Sequence, residues 1–263
     1  MTPEVMTIER AAAEIRQAYA DGRPIKPLRE RMAGDADVAY AIQEANTKFW
    51  LAEGRHLVGR KIGATSKAVQ NMLGLDQPDY GMLFADMAFG DGEAIPMSRL
   101  QQPRVEGEIA FYLSDDLDTD RLTLADVLHA VEYAVAAIEV VSSRIENWNI
   151  KILDTVADNA SAGLYVLGSQ PRKLSEFDPV LCGMVMERRG EPVATGAGIA
   201  CYGNPLVATL WLARKMVEVG RPLKKGDTVL SGSLGPLVGV ALGDAIELKV
   251  SGLGSVRCRF EGE

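Results

Sequence analysis

Histidine is scarce in this chain, with His56 and His129 the two among 263 residues. Cysteine is nearly as rare, and Cys182, Cys201 and Cys258 lie far apart. An odd, scattered set argues against a disulfide framework. No basic cluster stands out against a net charge of −8, which excludes a nucleic-acid surface. The apolar runs are too short to span a bilayer, and the N-terminus lacks a signal-peptide core, so the expected location is cytoplasmic. Internal repeats, low-complexity segments and a glycine-rich phosphate loop are absent as well. What remains is 47% apolar and 24% charged, an ordinary composition for a soluble globular enzyme. The length allows one large domain, or a small one attached to a larger. An anionic substrate would need a local cation to hold it in so acidic a chain.

The most informative stretch is Arg104-Val105-Glu106-Gly107-Glu108-Ile109-Ala110-Phe111-Tyr112-Leu113. Its apolar residues recur with period two, the pattern of a strand. Val105, Ile109 and Phe111 then share one face, with Gly107 between them. Glu106 and Glu108 share the other, their Cα atoms roughly 7 Å apart. Like charges so placed repel unless something cationic lies between them. Glu139 interrupts the apolar run Ala134–Val141, where an ionised carboxylate is costly to bury without a partner. Three carboxylates without nearby thiols or imidazoles suit a hard dication, Mg²⁺ or Mn²⁺. An E-x-E strand can equally be a solvated face, and a lone Glu can pair with Arg or Lys. Spacing leaves these readings open.

Around that strand the chain reads as α+β. Residues 1–55 form a small helical N-terminal layer, and residues 56–263 a β-rich catalytic domain. Thr2-Pro3 is a good helix start, followed by the stripe Ile8, Ala11, Ala12, Ile15 and Tyr19. A second helix is expected from about Asp37 to Glu53, with Val38, Ile42, Ala45, Phe49 and Ala52 on one side. Leu57–Gly63 reads as a strand, and Ser66 caps a short helix closed by Gly74. Gln77-Pro78-Asp79-Tyr80-Gly81 is a turn by composition. Thr123–Asp126 resembles a capping box that opens a helix to about Tyr133. Ser142–Ala162 is polar and irregular, a surface loop or a functional segment. Gly203-Asn204-Pro205 opens an amphipathic helix through Val219. Strands are expected at 164–167, 182–187, 228–230, 245–250 and 256–260.

Taken together, Gly59–Lys67, Gln77–Gly81, Glu106-Gly107-Glu108, Glu139 and Asp154–Ser161 occur in one order. The chain resembles the fumarylacetoacetate hydrolase superfamily from about residue 36 to 263. Within it, the likeness is to the hydratases of 2-hydroxypenta-2,4-dienoate in aromatic meta-cleavage degradation. This resemblance implies a mixed β-sheet roll of the fumarylacetoacetase C-terminal type with flanking helices. It implies Mg²⁺ or Mn²⁺ on Glu106, Glu108 and Glu139, with Lys61 and Asp79 as catalytic groups. Ser161, Ser231 and Ser233 fall where the family lines its substrate pocket, and Arg104 is a further candidate carboxylate partner. A homo-oligomer is implied, with association to a pathway decarboxylase or aldolase. One departure is Leu234-Gly235-Pro236-Leu237, where relatives often carry a different residue before the proline.

The implied reaction is a hydro-lyase step. A short 2-hydroxydienoate takes a proton at C5, adds water at C4 and a proton at C3, and becomes 4-hydroxy-2-oxopentanoate. Lys61 stabilises the 2-oxygen or shuttles a proton, and Asp79 is the candidate general base. Without the resemblance, Lys61 is a strand lysine in an ion pair and Asp79 a turn residue bonding its own backbone. The C–C bond hydrolases of the superfamily use a His–Glu pair that has no obvious counterpart here. The alternative is a 2-oxo-3-hexenedioate decarboxylase, whose dicarboxylate wants an additional pocket cation. Lys67, Arg144 and Lys151 are candidates for it. A non-catalytic assembly partner of that decarboxylase is a reading of another class, and it would be expected to lose the carboxylates or the lysine.

Overall fold

The computed structural model describes residues 6–262. The expected helix start at Thr2-Pro3 lies outside them. Helix α1 (Ile8–Asp21) begins where the Thr7 hydroxyl accepts the Arg10 N–H, and ends at Gly22 in the left-handed conformation. Helix α2 (Ala36–Ala52) is capped by the Asp35 carboxylate. Its buried face is Ala39, Ile42, Gln43, Asn46 and Thr47 rather than the expected line through Val38 and Phe49. The polar members are buried because they have partners. Gln43 Nε2 donates to the carbonyls of Tyr80 and Val156, and Asn46 Oδ1 accepts from Arg16.

Strand β1 (Leu57–Gly63) leads to α3 (Lys67–Leu73), capped by Ser66 and stopped at Gly74. Strand β2 (Asp79–Phe84) follows. Asp79, Tyr80 and Gly81 are thus strand residues, not a turn. They pair antiparallel with Gly63, Ile62 and Lys61, and that ladder overrides the turn-like composition. Short strands β3 (Ala88–Gly90) and β4 (Ala94–Pro96) precede β5 (Arg104–Leu113). Helix α4 (Leu124–Ala130) has the expected capping box but ends before Tyr133. The β-branched Val131 turns extended and opens β6 (Val131–Val141). Helix α5 (Ile152–Ala157) lies within the polar segment, and β7 (Ala162–Leu167) follows it. Then come β8 (Gly183–Arg188), β9 (Glu191–Ala197) and α6 (Pro205–Glu218). Strands β10 (Thr228–Leu230), β11 (Val238–Gly239), β12 (Ala245–Val250) and β13 (Gly254–Glu261) complete the chain.

Among the described residues the strands form two sheets. One runs β2-β1-β10-β5-β6-β7-β3 with β11 beside β5, and the other runs β4-β13-β12-β8-β9. Parallel pairs (β1–β10, β3–β7, β4–β13) mix with antiparallel ones, giving the α+β mixed-sheet roll expected from the sequence. The main core lies between the sheets, where Leu248 of β12 packs against the bare face of Gly107 on β5. A second apolar cluster joins Ala11, Ile15, Leu28 and Ile42 to Leu153 and Val156 of α5. The helical layer at the N-terminus therefore shares its core with the segment that leads into β7.

Arg144 fastens that segment. Its Nε donates to Asp158 Oδ1 at 2.6 Å, and its backbone N–H to Asp158 Oδ2 at 2.9 Å. Nη2 donates to the carbonyls of Asp158 and Ala162, and the guanidinium lies 4.1 Å from the Tyr19 ring centroid. Both charges are buried. Removing one partner leaves the other uncompensated, so Arg144→Met is expected to lower stability by about 3–5 kcal/mol in denaturant titration. A loss below about 1 kcal/mol, typical of an exposed pair, would contradict this account.

Candidate metal and substrate site

Register brings the carboxylates together. Glu106 of β5 pairs directly with Glu139 of β6, and Glu108 with Ala137, so all three glutamates meet on one face. Each offers an oxygen within 4.8 Å of the others, and all three are buried. Strand β10 stops at Leu230, and the following chain runs along β5 instead of leaving it. Ser231 and Leu234 donate their N–H groups to Ile109 and Gly107, and Gly232 donates its N–H to Glu108 Oε2 at 2.9 Å. Gly232 has φ 109°, and a Cβ there would lie 2.3 Å from Thr65 Cγ2. Only glycine lets the backbone reach the carboxylate at this point.

Lys61 comes from β1, with Nζ 3.2 Å from Glu139 Oε1. Asp79 stands at the start of β2, directly opposite Gly63. A Cβ on Gly63 would lie 2.2 Å from Asp79 Oδ1 and 3.1 Å from Lys61 Nζ. The absent side chain is therefore the space in which the ammonium and carboxylate approach. Gly81 does the same one step along, where a Cβ would meet the Asn159 carbonyl at 2.4 Å and Lys61 Cγ at 3.3 Å.

A cavity of about 500 Å³ opens from this cluster. Lys61, Asp79, Glu106, Ser161, Ser233 and Arg104 line it. The Ser161 hydroxyl lies 3.3 Å from that of Thr155. Ser233 accepts the Gly235 N–H and donates to the Gly235 carbonyl. The Arg104 guanidinium lies 4.5 Å from the Trp148 ring centroid. Ser231 is placed behind the wall, fully buried, its hydroxyl directed to the Gly232 carbonyl. His56 and His129 are exposed and away from the cavity. The lining also includes the apolar side chains of Val69, Met72, Ile150 and Leu237.

The three cations expected to serve a second carboxylate are not in the lining. Arg144 is spent on Asp158, Lys67 Nζ donates to Gln70, and Lys151 Nζ donates to the Met72 carbonyl. Sequence reasoning overlooked Thr155, Trp148 and the glycine slots at 63 and 81. A glycine inside a strand pattern is the signal that could have found the slots, since it often marks a close approach.

The residues present fit a hard dication. Glu108 Oε1 and both oxygens of Glu139 are buried without a hydrogen-bond partner among the described residues, and Asp79 Oδ1 is likewise unpartnered. The ammonium of Lys61 is near Glu139 Oε1 but outside hydrogen-bond geometry. Burial and the Glu139 charge push Glu106 up to about 8. Burial, Glu139 and Glu106 hold Glu108 well above the usual carboxylate range. Burial raises Asp79 too, with Lys61 opposing. Burial alone would lower Lys61, but Glu139, Asp79, Glu106 and Glu108 together outweigh it and raise it. Oxygen donors in excess of the protein's own cation are the donor set that Mg²⁺ or Mn²⁺ takes.

Comparison with known proteins agrees with this geometry. The family profile for the C-terminal domain of fumarylacetoacetate hydrolase matches residues 55–261. A 2-keto-4-pentenoate hydratase of Dechloromonas aromatica (strain RCB) is 58% identical over 257 residues, covering 97% of this chain and 98% of that protein. A 2-keto-4-pentenoate hydratase of Paraburkholderia xenovorans (strain LB400) is 55% identical over 262 residues, covering 99% and 97%. Among solved structures, the 4-oxalocrotonate decarboxylase from Pseudomonas putida G7, complexed with magnesium and adipate, superposes with a TM-score of 0.91. It is 33% identical and covers 96% of this chain and 97% of its own.

A prediction follows from the raised carboxyls. A carboxyl whose folded value lies above its unfolded value keeps a proton that the unfolded chain has lost. Without metal, stability therefore falls as pH rises from 4.5 toward about 8 through Glu106, and levels off above. A dication displaces those protons. Added Mg²⁺ is expected to raise Tm more at about pH 8 than at about pH 6, with proton release seen as buffer-dependent heat in calorimetry. Equal Tm shifts and no proton release would remove the triad as the binding site.

Proposed function

The chain belongs to the fumarylacetoacetate hydrolase family, and from that premise we propose that it is a metal-dependent hydro-lyase, a 2-oxopent-4-enoate hydratase. It adds water to 2-hydroxypenta-2,4-dienoate and yields 4-hydroxy-2-oxopentanoate, a step of aromatic ring meta-cleavage. One observation carries the reading: three buried carboxylates, two of them with unpartnered oxygens, adjoin Lys61 and Asp79 beside a cavity that is also lined by Val69, Met72, Ile150 and Leu237. The polar groups suit a 2-oxo acid, and the apolar ones suit a short uncharged tail.

In this reading Glu106, Glu108 and Glu139 hold Mg²⁺ or Mn²⁺. The bound ion supplies Lewis acidity and a template for the carboxylate and 2-oxygen of the substrate. Arg104, Ser161 and Ser233 line the cavity and orient the carboxylate. Lys61, kept protonated by the carboxylates around it, is a fixed donor for charge that develops on the 2-oxygen. Asp79 is buried, unpartnered at Oδ1 and raised in proton affinity, which suits it to accept and return protons. It takes the 2-hydroxyl proton and returns it to C5, then takes a proton from the water that adds at C4 and returns that one to C3, so the sum is one water added.

A hexenedioate brings a second carboxylate, for which the lining offers Arg104 as the cation beyond Lys61. A cytoplasmic location goes with the reading, since the three cysteines are free and buried. Homo-oligomerisation goes with it too.

The test is loss of dienoate absorbance with and without Mg²⁺. Turnover is expected only with the cation, and Glu108→Gln is expected to lower kcat/KM by about 100-fold or more. Lys61→Met is expected to lower kcat by about 10²–10⁴-fold while the protein still binds metal. Release of CO₂ from 2-oxo-3-hexenedioate, with no hydration of the pentadienoate, would reassign the enzyme as a decarboxylase.

A further inference from the structure

The segment that carries Ser161 into the cavity is strained. Asn159, Ala160 and Ser161 have φ of 55°, 52° and 54°, three consecutive residues with side chains in the left-handed region. That region is unfavourable for residues with a Cβ, Asn least, and three in a row persist only where surroundings over-determine them. All three are buried.

What over-determines this turn is visible on both sides. Behind it, Arg144 grips Asp158 and the Ala162 carbonyl, the two ends of the turn. In front, the Asn159 side chain meets β2, an edge strand of its sheet. The Met82 N–H donates to Asn159 Oδ1 at 2.7 Å, and Asn159 Nδ2 donates to the Met82 carbonyl at 2.9 Å. The amide imitates a neighbouring strand for one residue. Its own backbone carbonyl lies over Gly81, against which the Lys61 stem also packs. The Ser161 carbonyl accepts the Ser142 N–H at the end of β6. Asn159 thus links the Ser161 turn to the strand that begins with Asp79 and to the residue that seats Lys61.

We propose that Asn159 is a positioning residue that sets Ser161 in register with Asp79 and Lys61 across the substrate cavity. A plain structural role would need no strained conformation at the cavity wall, and a bond to any part of the sheet would serve it. Here the bond falls at Met82, three residues from Asp79, and the strain falls on the two residues that line the cavity, Ala160 and Ser161. The inference rests on the hydratase reading, because the substrate is what Ser161 is positioned against.

The experiment is a double-mutant cycle in steady-state kinetics on the dienoate, normalised to folded enzyme. Asn159→Gly keeps the left-handed backbone and removes the amide. Ser161→Ala removes the hydroxyl. Each single variant is expected to lose at least about 10-fold in kcat/KM, since small misplacements of positioned groups have effects of that size. The double variant is expected to be no worse than the poorer single one, because both changes disable the same contact. Asn159→Asp, which keeps the acceptor for the Met82 N–H and loses the donor, is expected to fall between parent and Asn159→Gly. Losses that multiply in the double variant would overturn the proposal. So would parental kinetics in Asn159→Gly at a lowered Tm, or a fully active Ser161→Ala. If neither Asn159 variant folds, the side chain is an element of the fold and the proposal falls. Absence of turnover by the parent would instead remove the hydratase reading, while parental turnover with unaffected variants removes only the role given to Asn159.

Discussion

Three glutamates meeting on one buried face is the constraint from which the rest of the molecule follows. Like charges in a poorly hydrated interior raise one another's proton affinity until something positive is supplied. The protein supplies part of it, with the Lys61 ammonium at Glu139 and the Gly232 N–H at Glu108. The remainder suits a dication. The meeting itself is a matter of strand register. Because side chains alternate along β5 and β6, a slip by one residue would turn Glu106 and Glu108 away from Glu139. The long antiparallel pairing from Arg104 to Leu113 holds that register, and the apolar core beneath it penalises any slip.

Close approach of charged groups also requires room, and glycine provides it. Gly63 leaves the gap shared by Lys61 and Asp79, and Gly81 leaves the one shared by Lys61 and the Asn159 carbonyl. Gly107 stands between the two glutamates of β5 but faces the other way, where Leu248 fills its place. The helical layer contributes at one remove. Gln43 of α2 bonds the outward carbonyl of Tyr80, as Asn159 bonds Met82, so two side-chain amides close the edge of β2. An edge strand that bears a catalytic candidate is thereby fixed on the side that faces away from β1.

The acidic triad and the strands that carry it were legible in the sequence because period two and an interrupted apolar run are local signals. The caps at Ser66, Thr123 and Asn204 were legible for the same reason. Where local reading failed, a distant partner had decided. Asp79-Tyr80-Gly81 has turn composition, yet pairing with β1 makes it a strand. The buried face of α2 is partly polar, because Gln43 and Asn46 find acceptors and donors on other elements. Arg144 looked like a pocket cation in a polar stretch, and nothing nearby announced Asp158 as its partner, fourteen residues on. Nor could the sequence show that Asn159, Ala160 and Ser161 would be held left-handed, since of the three only Asn commonly tolerates that region.

The acidic triad leaves the choice of reaction open. A 2-oxo acid presents the same carboxylate and oxygen to the triad whatever its tail, so the triad and Lys61 cannot by themselves distinguish a hydratable dienoate from a dicarboxylate. The distinction has to come from the rest of the lining, where Val69, Met72, Ile150 and Leu237 are apolar and Arg104 is the cation beyond Lys61. An unpaired buried charge is far more costly than an uncharged vinyl or methyl group in the same place. Lys67 and Lys151 do not line the cavity, and they donate to Gln70 and to the Met72 carbonyl. Discrimination by an apolar wall is weak between tails that differ by one methylene, about 1–3 kcal/mol, and strong against a charge.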